Sequence, residues 1–406
     1  MLELPVAFTT AVDNFVAHSG PKFSYTLKPL GNEFFIASHS LLFEQGVQTQ
    51  TIEIEKWNSV PVFFKTDSQN QIPYDIFAAS FFLLTRYEEA LPHLKTKDGF
   101  FDPSQSLAAQ NGFMKLPLVD LWTKELNKVL TDTFPAIHSL MEVQPKKDLL
   151  IEVTLPFRYK YRSPLIVLED FFRSLWTFKI FSLFQQIGVL LRLKRDPYES
   201  FSQWNNLFAS ATIKPKVFFL FSNSSAYEST VSIFNLPFQR IVKRVGDFFS
   251  MGLLVSMRSQ IKPQSFLNQE KNNFQMISHR PVNFVRMSQG IKDVSVVYSD
   301  LVEQEFRSDY SMGYPNTLGF RASTATPFNF YNLSNEFQLP LKVYPVFATE
   351  KSLLGFNSQT QFTELEQLFK NLPLSCSRLI IAVTNGFLNF QNQSEDQKSA
   401  FTNYIK

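Results

Sequence analysis

One cysteine, Cys376, stands in the whole chain of 406 residues. That excludes an intrachain disulfide and a thiolate metal cluster, accords with a reducing compartment, and leaves Cys376 the role of a buried small apolar residue. Histidine is scarce too: of His18, His39, His93, His138 and His279, neither His93 nor His138 has metal-ligand spacing, and His279 beside Arg280 and Pro281 reads as a turn residue. Charge of one sign never accumulates. With 39 basic and 36 acidic residues the net charge is +3 and no long single-sign run occurs, so nucleic acid is excluded as a partner. Long apolar runs are missing as well. Within residues 167–193 the charge-free run 180–191 has 12 residues and contains Gln185 and Gln186, where about 20 are needed to span a bilayer. The start, MLELPVAFTTAVDNF, has Glu3 where a secretory signal carries Lys or Arg, so no export signal is expected.

Aromatic bulk is what the chain has in excess: Phe fills 45 positions and apolar residues make up 44%. Its first use is core filling, with an aromatic-lined glycan groove as the lesser one. The length suits two domains. Residues 1 to about 70 alternate short apolar runs with turn residues (PVAFTTAV, EFFIASHSLLF, TQTIEIEKW, VPVFFKT), and the period-two pattern of Thr51 to Glu55 predicts a small sheet. Ile76, Phe77, Phe81, Leu84 and Tyr87 recur at helical spacing, with Arg86, Glu88 and Glu89 as its solvated end. A second helix follows Pro117 with Leu118, Leu121, Trp122, Leu126, Val129 and Leu130. Polar QPKKD at 144–148 marks a boundary. Beyond it, near-continuous apolar runs alternate with helical stretches: LLIEVTLPF, KVFFLFS, GLLVSM, PVNFVRMS, SVVYSDL, LKVYPVFA and RLIIAVTN. Such runs predict a parallel sheet buried on both faces.

The least generic stretch is 307–333, RSDYSMGYPNTLGFRASTATPFNFYNL. Between Tyr310 and Asn332 its only charged side chain is Arg321, an always-protonated group with five donors that must find acceptors. Arg321 is therefore a site residue or a structural clamp, paired with a carboxylate such as Asp309 or Glu350, with backbone carbonyls or with an exogenous anion. Gly313, Pro315, Gly319 and Pro327 suit a long ordered connection. This segment resembles the loop of polysaccharide deacetylase-like proteins of the Bacteroidetes type, which carry DYxMGYxxxxGFRAST followed by PFxFYDL. Asp309, Tyr310, Met312, Gly313 and Tyr314 match, as do Gly319, Phe320, Arg321, Ala322, Ser323 and Thr324. Upstream, DIFAASFFLLTRYEE and SLAAQNGFMKLPLVDLW resemble the same family's N-terminal region, so both halves are covered. The resemblance implies a deformed parallel (β/α) barrel of the polysaccharide deacetylase type in residues 146–406, preceded by a smaller α+β domain in residues 1–145.

It also implies a metal-dependent deacetylase site at the strand ends, with a divalent metal, a carboxylate base and a histidine acid. The matching positions have lost those groups. Aligned on Tyr159 and Tyr161, the two aspartates of T-x-D-x-D become Thr154 and Pro156; the metal-binding histidine of G-x-H-P-S-Y becomes Leu254, that of R-Q-H becomes Ser288, and that of W-H-N becomes Thr384. The neighbours Ser256, Arg286, Arg321 and Asn385 remain and, with Tyr314, are the ligand-binding candidates. No metal and no cofactor is expected. The resulting expectation is a catalytically inactive, cytoplasmic relative that keeps a groove for a glycan or a partner protein in carbohydrate or surface-polysaccharide metabolism. Two rivals stand beside it: an active hydrolase with a relocated site at Asp300 or Glu350, and an assembly partner of polysaccharide machinery. Residues 167–193, with Lys179, Arg192, Lys194 and Arg195 around the apolar run, are expected as a helix packed on the barrel, with peripheral membrane contact as the alternative.

Overall fold

The computed structural model describes residues 6–66, 71–135, 137, 145–178, 180–222, 228, 230–353, 361–373, 377–389 and 395–406. His138, Gln144, Lys179 and Cys376 lie outside these residues.

The N-terminal part holds two ribbons in place of one small sheet. Strand β1 (Phe23–Thr26) pairs parallel with β2 (Phe34–Ala37), and β3 (Glu55–Trp57) pairs antiparallel with β4 (Val60–Val62). Alternating Thr51 to Ile54 stays irregular, and the first apolar run leads into the helix Val12–Ala17. A period-two pattern supplies one apolar face but no partner strand, and the partner decides. The helix Ile76–Leu84 is started by Asp75, whose Oδ1 accepts from the amides of Phe77 at 3.0 Å and Ala78 at 2.9 Å. It ends before Arg86, which is left-handed at φ 56°, so the single helix expected here is two, the second being Tyr87–Ala90. With the helix Leu118–Thr133 these elements enclose a core that includes Ile36, Phe63, Phe82, Trp122 and Leu126.

The remainder is mixed α/β around one large, mostly parallel sheet. Its strands are β5 (Lys146–Val153), β6 (Lys216–Leu220), β7 (Ser250–Leu254), β8 (Phe284–Arg286), β9 (Ser308–Asp309), β10 (Phe328–Asn332), β11 (Phe337–Val343), β12 (Ala348–Thr349) and β13 (Arg378–Thr384). Among the described residues the order is β10-β11-β9-β8-β7-β6-β5-β13-β12, and every neighbouring pair is parallel except the β10–β11 hairpin. Residues 337–349 touch both sides of this arrangement. The Tyr344 amide donates to Asp309 O beside β9 at 2.8 Å, and the Phe347 amide donates to Ile380 O of β13 at 2.9 Å. Side chains alternate accordingly. Leu149, Ile151 and Val153 of β5 join the helices in one core, while Leu150 joins Phe218, Leu220, Leu254, Tyr310, Val346, Ile380 and Ala382 on the opposite face. Burial on both faces is why these strands read as continuous apolar runs.

Two expectations fail here. SVVYSDL is not a strand but lies in the helix Val294–Glu303, whose buried Val294, Val297, Tyr298 and Leu301 follow i, i+3, i+4, i+7. Asp293 caps it by accepting from the Val296 amide at 3.0 Å, and the local cap and spacing prevail over β-branched composition. Residues 167–193 form the helices Pro164–Trp176 and Ile180–Leu190, and they are not packed on the sheet: the first buries none of its residues, the second only Gln186, Gly188 and Val189. Among the described residues no helix is long and apolar enough to cross a membrane.

At Gly313 a Cβ would stand 2.4 Å from the carbonyl oxygen of Val346, whose amide donates to Met312 O at 2.7 Å. Backbone cannot yield as a side-chain tip can. Gly313→Ala is expected to cost about 1–3 kcal/mol, the usual range for an overpacked site, read as a lower midpoint in denaturant unfolding.

Candidate functional site

Three sequence blocks that stand apart in the chain meet in space. Arg86, at the end of the first block, is 2% exposed, and its guanidinium bonds Glu88 and Glu89, each at 2.7 Å, and the carbonyl of Arg321. Glu89 in turn holds Arg321 bidentately, Oε1 to Nε at 2.8 Å and Oε2 to Nη2 at 2.6 Å. The solvated helix end is thus overturned. Arg321 is 3% exposed and takes Glu89, not Asp309 or Glu350, as its carboxylate, with the Ile291 carbonyl as a further acceptor at 3.4 Å. Burial works to raise the Glu89 carboxyl, but Arg321 and Arg86 outweigh it and hold it down at about 2. Tyr314, also buried, accepts from Arg86 at 3.3 Å and lies under the Arg321 guanidinium.

The second block closes on the same loop. Asp120, fully buried, accepts from the Thr324 hydroxyl at 2.7 Å, the Ala325 amide at 2.9 Å and the Thr326 hydroxyl. The Val119 amide donates to Ser323 O at 3.1 Å, and the Phe320 amide to Met114 O at 2.9 Å. Gly319, at φ 142°, approaches Met114 so closely that a Cβ would lie 2.7 Å from its carbonyl oxygen.

The strand ends lie elsewhere. Glu152 on β5 and Arg286 on β8 form a buried ion pair although β6 and β7 lie between them. At about 4.8 Å per strand a flat sheet would hold them some 14 Å apart, so the sheet is curved. Arg286 also donates to Tyr310 O. In register, Glu152 faces Thr384 and Leu254 faces Arg286, so two of the degenerate positions are strand neighbours of this pair. Half-buried Thr384 donates through its hydroxyl to Glu350 at 2.6 Å. Asn385 is buried and donates to Leu155 O at 2.9 Å, bringing 154–156 beside the end of β13; Thr154 is half-buried and Pro156 buried. Ser288, half-buried, lies two residues past Arg286. Arg321 is paired with Glu89 and not with any residue of this group. Asp300, proposed for a relocated site at a strand end, sits inside the helix Val294–Glu303.

A divalent metal does not fit these residues. Of the two carboxylates at the degenerate positions, Glu152 carries a guanidinium and Glu350 is held by Thr384, and among the described residues no three His, Cys, Asp or Glu side chains group as ligands.

Past β7, Ser256 caps the short helix Met257–Ile261 through the Ser259 amide, and its own amide donates to Glu270 at 3.2 Å. The next amide, Met257, donates to Glu228 at 3.0 Å. Burial pushes the Glu270 carboxyl up to about 7 against the hydrogen bonds from Ser256 and Ser259, and Glu228 adds repulsion.

Residues 1–135 match a family of unknown function, DUF7033. No curated protein matches the chain at a significant level. Among solved structures, a candidate polysaccharide deacetylase from Mycobacterium smegmatis is 8% identical, with 66% of this chain and 85% of that one covered and a TM-score of 0.41. One from Pseudomonas aeruginosa PAO1 is 9% identical over 75% and 91%, with a TM-score of 0.40. A mutant CE4 family pseudoenzyme with restored enzymatic activity is 7% identical over 64% and 61%, with a TM-score of 0.30.

Sequence reasoning passed over Glu152, Asp120 and Glu270 and misread Glu89 as part of a solvated helix end. Glu152 had left a signal, as the lone charge in the apolar run LLIEVTL. Glu89→Gln is expected to cost about 3–5 kcal/mol, the usual penalty for stranding a buried charge. Because the folded carboxyl is depressed, that difference is complete above the ordinary value of 4.5 and fades as pH falls toward about 2, which denaturant midpoints across acidic pH will track. Glu270 behaves oppositely. Its raised carboxyl favours the fold below 4.5 and loses that advantage as pH rises through about 7, so Glu270→Gln is expected to flatten the fall in melting temperature over that window.

Proposed function

We propose that this chain is a polysaccharide deacetylase-like protein that has kept its scaffold and lost its hydrolytic centre. In this reading residues 146–406 are a deformed parallel (β/α) barrel, residues 1–145 a smaller α+β domain, and the mouth of the barrel a groove for a glycan or a partner protein in carbohydrate or surface-polysaccharide metabolism. Support for the barrel comes from residues 337–349, which hydrogen-bond beside β9 at one end and to β13 at the other. The inward cluster of Leu150, Phe218, Leu254, Tyr310, Val346 and Ile380 draws on strands around the whole circuit. The blocks that resemble the family in both halves are the two sides of one contact, through Glu89, Asp120 and Arg321.

One observation carries the loss of activity: the Glu152–Arg286 ion pair, whose two members are the strand neighbours of Thr384 and Leu254. Amide hydrolysis on this scaffold calls for a cation that polarises the carbonyl, a base that takes a proton from water and an acid that protonates the amine. Arg286 brings a fixed positive charge that gives up no proton, and Glu152 is engaged with it. Leu254 and Thr384 supply neither ligand nor acid. What the mouth retains is binding chemistry, with the half-buried hydroxyls of Thr154, Ser288 and Thr384 around a charged pair.

Purified full-length protein is expected to hold no stoichiometric Zn, Ni or Co by elemental analysis, to release no acetate from acetylated chito-oligosaccharides, and to bind oligosaccharide or a partner in calorimetric titration. Stoichiometric metal or acetate release would overturn the reading.

A further inference from the structure

Between β5 and β6 the chain leaves the sheet and builds the helical hairpin Pro164–Trp176 and Ile180–Leu190. The two helices are tied to each other, Gln186 Nε2 donating to Val167 O at 2.9 Å. Their apolar stripes face water. On the first, Leu168, Phe172 and Leu175 recur at i, i+4, i+7 and are exposed; on the second, Ile180, Phe184 and Ile187 do the same at the same spacing. At the connection Trp176 is 88% and Phe178 85% exposed, and Phe181 follows at 72%. A stripe of this extent across two helices far exceeds the scattered apolar residues of an ordinary surface.

Charge is arranged around it unevenly. The hairpin's carboxylates are spent, Glu169 on Arg173 and Asp170 on Arg162. Arg192, Lys194 and Arg195, directly after the second helix, are exposed and make no ion pair among the described residues. An apolar face rich in Phe and Trp beside uncompensated cations is complementary to a surface that is hydrocarbon below and anionic above. With 13 and 11 residues the helices are too short to span, where about 20 are needed, and so would lie along the interface. A second copy fits less well. A two-fold contact through this face would bring each unpaired cation cluster toward its own copy.

We infer that this hairpin seats the protein on an anionic lipid bilayer, its Phe and Trp side chains at the headgroup boundary and Arg192, Lys194 and Arg195 on the lipid phosphates. The inference stands apart from the proposed function, since it uses none of the residues at the barrel mouth.

The test is co-sedimentation of the full chain with vesicles of phosphatidylcholine alone or mixed with phosphatidylglycerol. The protein is expected to pellet with the anionic vesicles, with a blue shift of the Trp176 emission, and to be released by added salt. The triple variant Arg192→Gln, Lys194→Gln, Arg195→Gln is expected to bind those vesicles on the order of a hundredfold more weakly, as three lost phosphate attractions imply. Phe172→Ser with Phe181→Ser is expected to abolish the blue shift, while circular dichroism and melting stay as in the parent because the altered side chains are exposed. Wild-type protein that stays in the supernatant with both vesicle types would overturn the inference. So would a dimer in analytical ultracentrifugation that the Phe172→Ser, Phe181→Ser variant dissolves in the absence of any vesicle binding.

Discussion

Burying two guanidinium groups and a carboxylate in one cluster is the constraint around which this protein is arranged. Arg86, Glu89 and Arg321 are nearly free of water, and each would be intolerable without the others. A buried pair of this kind contributes little net stability compared with apolar side chains of the same shape. What it specifies is position. Arg86 adopts a left-handed backbone, which costs a non-glycine residue free energy, and in that conformation its guanidinium meets Glu88, Glu89 and the Arg321 carbonyl together, contacts that offset the cost. Asp120 repeats the device a short distance away with neutral partners, collecting Thr324, Ala325 and Thr326.

Seen from this cluster, the loop 307–333 is a connector. Its glycines allow close backbone approach to Met114 and Val346, its hydroxyls satisfy Asp120, and its one cation satisfies Glu89. The mouth of the sheet is organised by a different ion pair, Glu152 with Arg286, which spans the inward face. Both of these buried ion pairs serve architecture. In both places carboxylates stand beside permanent cations.

Much of the architecture was legible in the residues. The apolar runs of β5, β6, β7, β8 and β13 are each recovered as strands, because burial on two faces leaves a composition that little else produces, and the run that begins at Leu341 is recovered at the end of β11, which alternates buried and exposed residues. SVVYSDL shows the limit: β-branched content suggested a strand, whereas spacing and the Asp293 cap made a helix. Pairs distant in sequence were the least legible. Nothing local says that Glu89 lies against Arg321, or that Glu152 reaches across two strands to Arg286, because such contacts are made only once the chain has folded. The hairpin 164–190 misled for a related reason. An amphipathic stripe announces that a face wants covering and is silent about what covers it.

Residues 337–349 carry a further implication for how the polypeptide comes into being. β5 is synthesised before its neighbour β13, which begins at Arg378, and the stretch linking the β9 side to β13 emerges only after β6, β7, β8 and β9. Until then β5 and β9 are open edges with unpaired amides and carbonyls, the form in which nascent sheets stick to one another. Such a chain has reason to depend on chaperones during translation, and a stop between β9 and β13 leaves the β5 edge open and adhesive.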